Sequence, residues 1–145
     1  MNVLSLCDGI ACGRIALERM GYTVERYYAS EINAPSIKVA LNNYPDIVEL
    51  GDLKNWKEWD IQWKDIDLLI GGTPCQDFSQ LGKEKLNFDG ERSGLFFKYV
   101  DILNHIRQFN PNIKFLLENV KMKSEWANII SQYLDVDYVY INSSD

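Results

Sequence analysis

The stretch "NVLSLCDGIACGRIALERMG", Asn2–Gly21, decides the fold. "NVLSL" (Asn2–Leu6) has the composition of a strand buried in a sheet. "DGIACG" (Asp8–Gly13) is a turn bounded by glycines. "RIALERMG" continues as a helix with Ile15, Leu17 and Met20 among its apolar positions and Gly21 as its stop. A strand, a tight Gly-containing turn and a helix in immediate succession form the first half of a β-α-β unit.

Outward from this unit the alternation repeats. "VERYYAS" (Val24–Ser30) reads as a second strand and "NAPSIKVALNNY" as a helix capped by Asn33, with Ile37, Ala40 and Leu41 along one face. "DIVEL" is a short third strand, followed by Gly51-Asp52, and "NWKEWDIQWK" is a short helix or a loop. "DLLIGG" is a continuous apolar run, as expected of a strand covered on both faces. A polar loop, "DFSQLGKEKLNFDGERSG", separates it from the clearest helix, "LFFKYVDILNHIRQF", which Asn110-Pro111 ends. "KFLLENV" reads as another buried strand, "KSEWANIISQYL" as a helix starting near Ser124, and "DYVYI" as a last strand. The lone His105 falls within the long helix, as a surface or packing residue. Strand–helix alternation implies a mostly parallel sheet with helices on both faces. Ligands of such sheets bind beyond the carboxyl ends of the strands. There the sequence collects Asp8-Gly9, Glu31, Gly51-Asp52, Pro74-Cys75 and Glu118-Asn119.

Composition sets the bounds. The 145 residues suit one domain, and 46% hydrophobic with 25% charged residues is ordinary for a soluble globular protein. No apolar run approaches the roughly 20 residues that span a bilayer. The N-terminus has no basic region ahead of its apolar stretch, which leads to the expectation of an intracellular protein without a signal peptide. A formal charge of −6 argues against the whole surface acting as a nucleic-acid clamp, while leaving room for a local basic patch. The three cysteines, Cys7, Cys12 and Cys75, form no CxxC pair and have one histidine for company. A metal site would lack ligands, and a disulfide would be out of place in a reducing compartment. For Cys75, after Pro74 on a Gly-rich corner, a packed thiol and a nucleophile remain.

The first half of the chain suits an adenosine-bearing cofactor. Gly9 and Gly13 flank the first turn and allow close approach of backbone to ligand. The spacing does not match GxGxxG, which argues against a pyrophosphate cradle and therefore against NAD, the rival cofactor. Glu31 lies 22 residues beyond Gly9, where a carboxylate accepts ribose hydroxyls. Asp52 is placed to accept from an adenine amino group. S-adenosylmethionine fits this set.

Six blocks, "LSLCDGIACG", "ASEIN", "GDL", "GGTPCQDFS", "RSGLFF" and "LLENV", occur in the order found in cytosine-C5 DNA methyltransferases, and the chain resembles that family over almost its whole length. The likeness is closest to the catalytic domains of de novo type enzymes and their phage and bacterial relatives. It implies a Rossmann-like, S-adenosylmethionine-dependent methyltransferase fold, here a single cofactor-binding catalytic subdomain, residues 1–145, ending before the last strands and the target recognition domain. It implies Cys75 as the nucleophile that attacks carbon 6 of a flipped cytosine, and Glu118 as the group that holds the base and protonates N3. For that proton transfer, burial of Glu118 at a strand end and orientation by Asn119 are expected.

The resemblance further places Asp8, Gly9, Ile10 and Gly13 at the methionine end of the cofactor. It puts Glu31 on the ribose, Ile32, Asp52 and Leu53 around adenine, and Pro74 and Leu95 near the cofactor. Ser79, Arg92 and Asn119 fall where family members touch DNA or the base. The implied partner is cytosine-containing duplex DNA, with a second chain or a C-terminal half completing the enzyme, and no membrane. The setting is the cytoplasm of a bacterial or phage-infected cell, as in restriction–modification, or a eukaryotic nucleus. The chain departs from the family at Cys7, where a phenylalanine is usual, and the resemblance implies an arginine-bearing segment following "DYVYINSSD". A non-catalytic, methyltransferase-like remnant that binds S-adenosylmethionine or a partner is the alternative.

Overall fold

A computed structural model describes residues 1–73, 94–142 and 144. Five strands form one parallel sheet in the order β3-β2-β1-β4-β5. They are β1 (Asn2–Leu6), β2 (Arg26–Ser30), β3 (Val48–Glu49), β4 (Leu68–Gly72) and β5 (Lys114–Glu118). The helices are α1 (Cys12–Arg19), α2 (Ala34–Asn43), α3 (Gly94–Phe109) and α4 (Ser124–Leu134). The strand order reverses between β1 and β4, and the crevice beyond their carboxyl ends is where such sheets bind ligands.

Both faces of the central strands are packed. Leu4, Leu6 and Leu69 meet Phe96, Tyr99, Ile102, Leu103 and Ile106 of α3 in one apolar cluster. Val3, Tyr27 and Ala29 form the other with Ala11, Ala40 and Ile47. Sheet alternation makes this division: successive residues of β1 and β2 point to opposite faces. α2 begins where expected, Asn33 accepting from the Ser36 N–H at 3.0 Å.

"NWKEWDIQWK" resolves into two short 3-10 turns, Leu53–Glu58 and Trp63–Asp65. Their tryptophans pack with His105 of α3, whose ring centroid lies 5.1 Å from that of Trp56 and 4.9 Å from that of Trp63. His105 is thus a packing residue.

Two expectations fail at the β5 side. "KFLLENV" is not a buried strand: β5 is the sheet edge, Lys114, Leu116 and Glu118 are exposed, and only Phe115 and Leu117 turn toward the α3 cluster. "DYVYI" forms no strand. Val139 and Ile141 are 80% and 86% exposed, and no neighbouring strand among the described residues meets this segment. Aromatic and β-branched composition favours a strand only where a ladder partner and a packing surface are present.

Candidate active site

The carboxyl ends of β1, β2 and β3 bring four carboxylates together. The turn after β1 alternates through left-handed backbone: Cys7, Gly9 and Ala11 have φ of 55°, 65° and 67°. Such conformations cost a non-glycine residue roughly 1–3 kcal/mol and cluster at functional sites. At Gly9 a side chain would be strained, although the space beside it is open. Glu31 holds this turn. Its Oε2 accepts from the Gly9 N–H at 2.8 Å, and its Oε1 accepts from the N–H groups of Ile32 and Asn33 at 2.8 and 2.9 Å.

Asp8 lies beneath the turn. Its Oδ1 accepts two short hydrogen bonds, from the Ser5 and Tyr27 hydroxyls, both at 2.6 Å. Its Oδ2 is buried with no partner among the described residues, as is Oε2 of Glu49 on β3. Burial raises the pKa of Asp8, against the lowering effect of the two hydroxyls, with Glu31 adding to the rise. Glu49 is raised by burial and then by Asp8 and Glu31. The Cys7 thiol is pushed up to about 11 by burial, then by Glu31 and Asp52. Cys7, Asp8, Glu31, Glu49 and Asp52 thus gather at or just past the carboxyl ends of the adjacent parallel strands β1, β2 and β3. Asp52 caps the first 3-10 turn, its Oδ1 accepting from the Lys54 N–H at 2.8 Å, and the Ser30 hydroxyl donates to the Gly51 carbonyl at 2.7 Å.

The other expected residues divide. Ile10 and Ile32 are exposed at the rim, an arrangement suited to an apolar ring system. Leu53 is instead in the core, 4% exposed, because it packs under the 3-10 turn, and Leu95 is half-buried against the same cluster. Gly13 serves packing: a Cβ there would stand 2.4 Å from Ile70 Cδ1 and 3.1 Å from the Tyr27 hydroxyl. Ser5, Tyr27 and Glu49 were not singled out in the sequence. Their signal was a polar group inside a strand, a serine in "NVLSL", a tyrosine in "RYYAS" and a glutamate in "VEL".

At the second pair of strand ends, β4 and β5 place Gly72 opposite Glu118. A Cβ on Gly72 would lie 3.0 Å from Glu118 Oε2, so the glycine leaves room for the carboxylate against β4. The expected burial of Glu118 is not found: the side chain is exposed, as the edge position of β5 dictates. Nor is Asn119 bonded to Glu118. Its Nδ2 donates to Thr73 Oγ1 at 3.4 Å and its Oδ1 accepts from the Val120 N–H at 2.9 Å, tying β5 to β4. Cys75, Pro74, Ser79 and Arg92 lie outside the described residues.

The crevice suits a ligand that donates hydrogen bonds or carries positive charge at one end and is apolar at the other. Asp8 Oδ2 and Glu49 Oε2 await donors, and Ile10 and Ile32 supply apolar surface. S-adenosylmethionine, with its ammonium group and adenine ring, fits the residues present.

A parallel sheet in the order β3-β2-β1-β4-β5, with polar groups collected at its carboxyl ends, defines a Rossmann-like, doubly wound fold with a ligand site at those ends. Residues 1–140 match the family model of C-5 cytosine-specific DNA methylases, and the chain belongs to that family. It is 45% identical over 120 residues to the type II methyltransferase M1.ScrFI of Lactococcus lactis subsp. cremoris, covering 83% of this chain and 28% of that protein. It is 36% identical over 123 residues to the orphan methyltransferase M.Rho11sI of Bacillus phage rho11s, covering 83% and 23%. The chain thus spans about a quarter of the length of these curated relatives. Among solved structures, a Spodoptera frugiperda DNMT2 mutant superposes with a TM-score of 0.61 at 26% identity, over 92% of this chain and 39% of that one. The S. pombe Dnmt2 methyltransferase superposes at 0.58 and 20% identity, over 91% and 39%, a likeness of fold. No described helix is long and apolar enough to cross a membrane.

Proposed function

We propose that this chain is the cofactor-binding and catalytic part of an S-adenosylmethionine-dependent DNA cytosine-C5 methyltransferase. The observation that carries the reading is the gathering of Asp8, Glu31, Glu49 and Asp52 at the carboxyl ends of three adjacent parallel strands, with Asp8 Oδ2 and Glu49 Oε2 buried and without donors among the described residues. Asp8 and Glu49 would meet the methionine ammonium group, Glu31 the ribose, and Ile10, Ile32 and Asp52 the adenine. Three backbone N–H groups occupy most of the roughly four acceptor positions of Glu31, which leaves about one for a ribose hydroxyl while the side chain holds the turn. When bound, S-adenosylmethionine supplies an electrophilic methyl group.

Catalysis falls to the other strand ends. The base must leave the duplex stack to be reached. The Cys75 thiolate adds to carbon 6 of the extruded cytosine while the Glu118 carboxyl holds the ring and delivers a proton to N3. That addition would make carbon 5 electron-rich, able to accept the methyl group that S-adenosylmethionine would supply on leaving as S-adenosylhomocysteine. Loss of the C5 proton to a base then expels the cysteine and restores the ring. Gly72 pairs with Glu118, and Cys75 follows Gly72 by three residues, a length of chain that reaches about 10 Å at most. Ser79 and Arg92 are assigned to DNA contact, and Asn119 to joining the two strand ends.

Further polypeptide, in the same or a second chain, completes the enzyme. Support comes from the outer side of β5, where Leu116 is 62% exposed beside the exposed Glu118, and from the −6 charge, which offers no general grip on phosphates. Covering that side would bury Glu118 and suit it to give up a proton. The test is transfer of a radiolabelled methyl group to duplex DNA. The chain alone is expected to show little turnover, and co-expression with the completing polypeptide to restore it. Robust turnover by the isolated chain refutes the need for completion, and methyl transfer to a position other than cytosine C5 refutes the assigned reaction.

A further inference from the structure

Ser5 and Tyr27 are inside the fold, 3% and 0% exposed, and both spend their hydroxyls on one atom, Oδ1 of Asp8. Two 2.6 Å bonds onto a single oxygen are short enough to be charge-assisted. They orient the carboxylate, leaving Oδ2 as the buried oxygen without a partner. The Tyr27 hydroxyl donates its own proton to Asp8. Burial also holds the tyrosine protonated, so it stays a donor.

We propose that Ser5 and Tyr27 are positioning residues of the cofactor site: their hydroxyls clamp Oδ1 of Asp8, keep that carboxylate ionised, and present Oδ2 to a ligand ammonium group. The inference rests on the cofactor reading above. Burial and the Glu31 carboxylate oppose that ionisation. Glu31 comes from the end of β2, Glu49 projects from β3, and the adjacent Cys7 is an uncharged thiol. The two hydroxyl bonds favour the ionised carboxylate, against burial and the neighbouring Glu31, which favour the neutral one.

The test follows the Asp8 carboxyl carbon by NMR in wild type, Tyr27→Phe and Ser5→Ala, together with calorimetric titration of S-adenosylhomocysteine across pH. Tyr27→Phe keeps the ring that fills the core, and Ser5→Ala removes one oxygen, so either variant serves should the other fail to fold. In each, Asp8 is expected to titrate at a higher pH than in wild type. Affinity below that titration should fall about tenfold relative to wild type and converge with it above, because only the ionised fraction changes. An Asp8 titration that does not move overturns the clamp, as does an affinity loss of the same factor at every pH, which is the signature of altered packing. If wild type binds no S-adenosylhomocysteine while the Asp8 titration moves as expected, the clamp stands and the cofactor reading falls.

Discussion

Replacing Glu31 by glutamine separates the acceptor role of this side chain from its size. The carboxylate takes one N–H on Oε2 and two on Oε1. Glutamine has one oxygen and one NH2 group, so at least one of these N–H groups must face another donor. With the oxygen toward Ile32 and Asn33, the lost bond is the part-buried one from Gly9, in the left-handed turn after β1. A hydrogen bond to a charged group contributes about 1.5–3 kcal/mol net, and the two retained bonds weaken when the charge goes. The exposed partners Ile32 and Asn33 recover water, which limits their share. The total comes to about 2–3 kcal/mol. With a urea slope of about 2 kcal/mol per molar, the unfolding midpoint of Glu31→Gln should fall by about 1 M. S-adenosylhomocysteine affinity should fall about 10- to 100-fold in parallel, since the turn and the ligand share this acceptor. A midpoint within about 0.2 M of wild type would refute the claim that Glu31 holds the turn.

Gly13→Ala should destabilise the fold by about 1–3 kcal/mol in thermal or urea unfolding, because the new Cβ meets Ile70 Cδ1 at 2.4 Å. Ile70→Val removes that methyl, so Gly13→Ala should cost markedly less in the Ile70→Val background; equal costs in both would contradict the packing role. Burial raises the folded-state pKa of Asp8, so wild-type stability contributed by this group falls as pH climbs from the ordinary aspartate value through the raised one. Asp8→Asn cannot titrate. Its urea midpoint relative to wild type should improve as pH climbs from the ordinary aspartate value through the raised one, while S-adenosylhomocysteine binding is lost, and a pH-independent difference would contradict the assignment.

The sequence was most informative where local pattern and fold rule coincide. Asp8-Gly9, Glu31 and Gly51-Asp52 were legible as strand-end positions because the period changes from strand to helix or turn beside each of them. What each carboxylate does there was less legible. That Glu31 grips the Gly9 backbone depends on β1 and β2 lying side by side in register. That Gly13 answers to Ile70 depends on how α1 lies on the sheet. Ser5 and Tyr27 were hidden because a strand's alternation shows which residues face inward, not which atom an inward hydroxyl reaches. Glu118 and "DYVYI" misled for a related reason: apolar composition reports what a segment can bury, and β5 is an edge with an exposed outer side.

The central claim is that Cys75 becomes covalently bonded to a cytosine during methyl transfer. A cytosine bearing fluorine at C5 cannot lose that substituent, so the thiol adduct at carbon 6 should persist. In an assembly first shown to methylate ordinary DNA, a 5-fluorocytosine duplex with S-adenosylmethionine should give a denaturation-resistant complex. Mass spectrometry should place the link on Cys75, and Cys75→Ser should abolish it, while Cys7→Ser and Cys12→Ser should still trap DNA. An active assembly that traps nothing, an adduct mapped to Cys7 or Cys12, or one that survives Cys75→Ser would contradict the account.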